Sequence, residues 1–147
     1  MSHDLAGMPE CSRTETVALR IAVPGAGGVS ALLEQPAGAR ACVVLAHGAG
    51  AGMTHSFMTA FAAGLGERGL ACLRYQFPFM EHGSRRPDTP AVAQATVRAA
   101  VDAAAAAVPG LRLVAGGKSF GGRMTSQAEA AAPLPGVAGL LFVGFPL

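Results

Sequence analysis

At 147 residues the chain is long enough for one domain with a real core, yet short for most α/β enzymes. It is 51% hydrophobic and 14% charged, the balance of a protein that buries a parallel sheet, and its net charge of +2 is too small to argue for nucleic acid or a membrane surface as partner. Seven Phe, one Tyr and no Trp leave little from which to build a base-stacking platform.

In chain order, residues 1 to about 14 read as a loose tail, without the basic-then-apolar pattern of a leader peptide. Thr16 to Val23 alternates as a strand. Pro24-Gly-Ala-Gly-Gly28 is a turn and Val29 to Gln35 a second strand, so the two form an antiparallel hairpin. Ala41 to Ala46 is continuously apolar, as expected of a strand covered on both faces. After the loop His47 to Met53, Thr54 caps a helix that runs to about Arg68, with Phe57, Phe61 and Leu65 on one face and Gly69 as its stop. Leu70 to Tyr75 is another buried strand, and a Pro- and Arg-rich loop fills 76–90. Pro90 opens an Ala-rich helix that ends before Pro109-Gly110. A strand from Leu111, a helix to about Ala131 and a last strand, Val137 to Phe145, complete the chain. Alternation of strand and helix from residue 41 onward implies a parallel sheet with right-handed crossovers. Cys42 and Cys72 lie in apolar strands and read as buried thiols. With Cys11 they make an odd count, which fits a reducing, cytoplasmic setting. No apolar run reaches the length of a membrane span.

The chemistry concentrates at Gly117-Lys118-Ser119-Phe120-Gly121, between an apolar strand and a helix. G-x-S-x-G in that setting is a nucleophile elbow. The turn is so tight that Gly117 and Gly121 are required where a Cβ would clash, and the strain pushes the Ser119 hydroxyl into open space. The Phe120 N–H and the helix N-terminus face the same point, where an oxyanion can be stabilised. Gly117-Lys118-Ser119 also ends like a phosphate-binding P-loop, but the glycine that motif needs five residues earlier is Arg112. Gly48-x-Gly50-x-Gly52 approaches a dinucleotide-binding turn, but residue 53 is Met and no acidic residue lies in Leu70 to Tyr75. His47 in the His-Gly turn reads more readily as a loop anchor than as a catalytic base.

Leu45-Ala-His-Gly-Ala-Gly-Ala-Gly-Met53, Arg74-Tyr-Gln-Phe-Pro-Phe-Met-Glu81, Arg85-Arg-Pro-Asp88, Gly116-Gly-Lys-Ser-Phe-Gly-Gly-Arg-Met-Thr-Ser126 and Gly144-Phe-Pro-Leu147 together resemble the α/β-hydrolases of the dienelactone-hydrolase-like superfamily. The nearest branch by these motifs includes a testis-expressed protein and a scaffold subunit of a nuclear histone-acetyltransferase complex. The resemblance covers residues 16–147. It implies an α/β three-layer sandwich with a mostly parallel sheet, and a serine hydrolase acting on an ester, thioester or related acyl bond of a small-molecule substrate, without cofactor or metal. Ser119 is then the nucleophile, the backbone N–H groups of Ala49 and Phe120 form the oxyanion hole, and His47, Gly48 and Gly50 support the loop.

The family's triad runs Ser, then acid, then His. After Ser119 this sequence has Glu129 as its only acid and no His. The expectation is therefore a partial α/β-hydrolase domain over residues 15–147, lacking its last strands, nearly inactive alone and open to self-association through an exposed sheet edge. His55 and His82 lie toward the catalytic end, but the family's His comes from later sequence. Arg85 and Arg86 read as a solvated loop or as an anion-binding pair, and Asp88 as a local cap. A non-catalytic interaction module is the alternative, since the scaffold branch is one.

Overall fold

A computed structural model describes residues 13–144; the predicted tail lies almost wholly outside them. Six strands form one sheet in the order β1-β2-β4-β3-β5-β6: β1 Thr14–Val23, β2 Gly27–Pro36, β3 Ala41–Ala46, β4 Ala71–Tyr75, β5 Arg112–Lys118 and β6 Val137–Val143. The hairpin is antiparallel as expected, with Val23 opposite Gly27, and β2 also meets β4 antiparallel. The β4-β3, β3-β5 and β5-β6 pairs are parallel, so the sheet is mixed, with a parallel half that carries the crossovers.

Alternation along the central strands builds two cores. Cys42, Val44 and Ala46 of β3 join Leu73 and Tyr75 of β4 in the larger one, while Val43, Leu45 and Cys72 face the other way. Helices α3 (Pro90–Ala107) and α4 (Phe120–Ala131) cover the first face through Ala93, Val97, Ala100 and Met124; α1 (Ser56–Glu67) covers the second through Met58 and Ala62. The result is three layers, helix–sheet–helix. Cys42 and Cys72 are buried free thiols on opposite faces, and burial pushes the Cys42 thiol up to about 11.

Four local expectations change. First, β1 starts at Thr14, inside the stretch read as tail. Second, α1 is capped by His55, whose Nδ1 accepts the Phe57 N–H at 3.3 Å. The cap moves past Thr54 because His55 N–H donates to Gly52 O at 3.1 Å, closing a turn across 52–55. Third, the buried line of α1 is Met58-Ala62-Gly66, with Phe57, Phe61 and Leu65 half-buried along its flank. Fourth, the loop after β4 contains a short helix, α2 (Pro78–Glu81), which opens on Pro78. Asp88 Oδ2 accepts the Phe79 N–H at 3.1 Å. Glu81 accepts from Ser30 N–H and Oγ–H, at 3.0 and 2.9 Å, and pairs with Arg20 at 2.7 Å. The segment read as an open loop is thus a strap fastened to the hairpin.

Candidate active site

Ser119 joins β5 to α4 with φ 53° and ψ −112°, and among the described residues it is the one non-glycine with positive φ. A side chain held there is strained, and the strain persists only where the surroundings over-determine the backbone. They do. Ser119 N–H bonds Val143 O of β6 at 3.2 Å, and Ser119 O takes the first helical bond, from Arg123 N–H, at 3.0 Å. The glycines around it are forced by contact: a Cβ on Gly117 would lie 2.5 Å from Ala46 O, and one on Gly121 would run into His47 O and the Ala46 side chain. Gly116 is a third forced position. Its Cβ would enter the Leu141 backbone of β6, and the doubled glycine in Gly116-Gly117 was its only sign in the sequence.

Ser119 occupies the cap position of α4 but makes no capping hydrogen bond, and among the described residues nothing bonds its Oγ. Among the described residues the hydroxyl is thus unengaged. The first N–H groups of α4, Phe120 among them, have no intrahelical acceptor and lie at the Ser119 end of the helix. The Phe120 ring is buried edge-on against Phe77 and Phe79, which fixes the helix start.

The loop after β3 lies beside the elbow because Ala46 and Gly117 are register partners. A Cβ on Gly48 would sit 3.8 Å from Ser119 Cβ. Ala49 and Gly50 are exposed, and with Gly48 and Ser119 they line one cavity of about 300 Å³. Three side chains hold this loop. His47 is fully buried; its Nε2 accepts the Phe77 N–H at 3.0 Å and its Nδ1 lies 2.6 Å from Gly48 O. With Nε2 an acceptor, Nδ1 carries the proton and donates to Gly48 O, and burial lowers the ring's pKa below the ordinary imidazole value. His47 is thus a neutral anchor with both nitrogens engaged. Gln76 Oε1 accepts the Met53 N–H at 2.8 Å, while Arg74 Nη1 donates to Met53 O at 2.7 Å and pairs with Glu34 at 2.8 Å. In the sequence Arg74 and Gln76 stand out only as members of the Arg74-to-Glu81 motif, although a lone Arg in an apolar strand is a signal of such a buried bolt.

The cavity's other walls include His55, Phe57 and Lys118. A larger cavity, about 490 Å³, lies between Thr14, Glu34 and Gly66 and shares no residue with it. His82, Arg85 and Arg86 are exposed after α2 and line no part of the Ser119 cavity. Glu129 accepts the Leu134 N–H at 2.9 Å. Among the described residues no three His, Cys, Asp or Glu side chains gather where they could hold a metal ion. No helix among them is long and apolar enough to cross a membrane.

A six-stranded mixed sheet in this order, with helices on both faces and a serine elbow after its fifth strand, is an α/β-hydrolase fold. The chain belongs to the alpha/beta hydrolase domain family, whose model matches residues 39–147. Among solved structures it is similar to a dienelactone hydrolase from Anabaena variabilis, with TM-score 0.76 and 22% identity over 88% of this chain and 62% of that one. It is also similar to an α/β serine hydrolase without lid from Xanthomonas campestris, with TM-score 0.71 and 24% identity over 90% and 62%. A third is an α/β serine hydrolase homologue from Coxiella burnetii, with TM-score 0.71 and 20% identity over 90% and 63%. At these identities the likeness is one of fold, and the chain spans about three fifths of each neighbour's length. No curated protein matches it in sequence.

Proposed function

We propose that this chain carries the nucleophile and oxyanion-binding part of a serine hydrolase that cleaves an ester, thioester or related acyl bond. The observation that supports this best is the backbone of Ser119, held at φ 53° at the wall of a cavity, with its Oγ unbonded among the described residues. Ser119 attacks the acyl carbon, and the N–H groups of Phe120 and Ala49 receive the negative charge that develops on the carbonyl oxygen. The loop holding Ala49 is fixed in advance by His47, Gln76 and Arg74, so little reorganisation accompanies the reaction.

No base stands at Ser119 among the described residues. Among the described residues no His or carboxylate bonds Ser119 Oγ; His47 has both nitrogens engaged, His55 caps α1 and Glu129 is tied to Leu134. We therefore expect these 147 residues to hydrolyse esters poorly alone, the triad's acid and His being supplied by other sequence. An elbow and oxyanion hole without a triad still give an acceleration on the order of 10³ over water. The test supplies the base from solution: imidazole is added to the chain and to Ser119→Ala during hydrolysis of p-nitrophenyl acetate. An imidazole-dependent rate above that of Ser119→Ala supports the nucleophile; identical rates defeat it. The same lack of a base favours one second reading, a non-catalytic hydrolase-like module of the kind found in the scaffold branch that the motifs resemble. Identical rates would leave that reading standing.

A further inference from the structure

We infer that the cavity beside Ser119 is an anion subsite in which Lys118 and His55 hold a carboxylate at the far end of a short acyl chain. The acyl chain presupposes Ser119 as the nucleophile proposed above; the anion subsite itself does not. Lys118 is the last residue of β5 and is half-buried. Its Nζ lies over the Phe57 ring, 4.6 Å from the centroid, and both residues line the cavity. A cation–π contact positions an ammonium without neutralising it. Among the described residues no carboxylate pairs with Lys118; the ion pairs are those of Arg20 with Glu81 and Arg74 with Glu34. His55 adds a second donor. Its Nδ1 accepts the Phe57 N–H, so in the neutral ring the proton sits on Nε2. The remaining lining is apolar side chains and the backbone of 48–51, with no acidic residue. A cavity of about 300 Å³ whose charged and polar side chains other than Ser119 are all donors is complementary to a small anion. Its size favours a few-carbon acyl group ending in a carboxylate over a long or bulky one.

The test uses the ¹⁵N-labelled 147-residue chain at low salt, titrated with glutarate and, in parallel, with uncharged glutaramide. Glutarate is expected to shift the amides of 48–51 and Ser119, and glutaramide to leave them in place. Lys118→Met is expected to weaken glutarate at least about tenfold, the scale of one lost charge-assisted contact, and Lys118→Arg to keep most of it. Lys118→Gln repeats the comparison if Lys118→Met melts below the wild type. Equal shifts with both ligands, or glutarate binding insensitive to Lys118→Met, would overturn the subsite. Fluorophosphonate labelling of Ser119 with imidazole supplied as the base separates the two claims. A labelled Ser119 without glutarate preference removes the subsite and leaves the nucleophile. Glutarate binding with Ser119 unlabelled upholds the subsite and removes the nucleophile.

Discussion

Replacing Ser119 by glycine should make this protein more stable, against the usual direction of a glycine substitution. Ser119 sits at φ 53°, ψ −112°, where a Cβ is disfavoured, and such a conformation costs on the order of 1–3 kcal/mol. Glycine relieves that strain, while its greater freedom in the unfolded chain returns about 0.5–1 kcal/mol of the gain. The net expectation for Ser119→Gly is a stabilisation between about zero and 2.5 kcal/mol, or up to roughly 10 °C in melting temperature for a chain of this size. Ser119→Ala is the matched reference. It keeps the Cβ, and so the strain, and it removes only an Oγ that nothing among the described residues bonds. Urea unfolding followed by far-ultraviolet circular dichroism should place the Ser119→Gly midpoint above that of Ser119→Ala, with the same slope. A Ser119→Gly protein less stable than Ser119→Ala by the ordinary glycine penalty of about 0.5–1 kcal/mol would mean that the backbone there is relaxed, and the elbow would lose its physical basis.

The glycines should divide sharply by contact. Gly117→Ala and Gly121→Ala drive a Cβ into the β3 backbone and should each cost about 1–3 kcal/mol or more in urea unfolding, whereas Gly50→Ala, with nothing within 4 Å, should stay within about 0.5 kcal/mol; equal effects would contradict the packing described. His47, buried and neutral, binds its proton less readily folded than unfolded. Its contribution to stability is therefore complete above the unfolded value near 6.5 and is lost as pH falls through that value toward the lowered folded one, with a limiting slope of about 1.4 kcal/mol per pH unit. An NMR titration of the His47 ring should show its midpoint below 6.5; a midpoint at or above it would refute the neutral anchor. The β6 edge, the last strand of the sheet among the described residues, should self-associate as concentration rises, read by light scattering. A monodisperse monomer at every concentration would count against it.

What could be read in advance was whatever depends on short-range sequence. The elbow is legible because Gly117 and Gly121 bracket Ser119 at a spacing set by one tight turn, and the hairpin because Pro24 to Gly28 separates two alternating runs. Sites that depend on distant partners were less visible. Nothing near Met53 in the chain announces that Gln76 and Arg74 will grip its peptide from both sides, and it is in this loop that the helix start shifts from Thr54 to His55. Helix α2 was missed because it is one turn long and fastened through Asp88 and Ser30, nine and about fifty residues away in sequence. Lys118 stood in the elbow motif, but its place over Phe57 needs the β5–α1 juxtaposition that only the fold provides.

The central claim is that Ser119 is a nucleophile presented by a strained turn, and covalent capture tests it most directly. The chain is incubated with a fluorophosphonate in the presence of imidazole, digested, and the peptide spanning Lys118 to Arg123 analysed by mass spectrometry. The account predicts a single phosphonyl adduct on Ser119, accelerated by imidazole and absent from Ser119→Ala. An unmodified Ser119 alongside adducts on other hydroxyls, or labelling of Ser119 that imidazole does not accelerate, would contradict it.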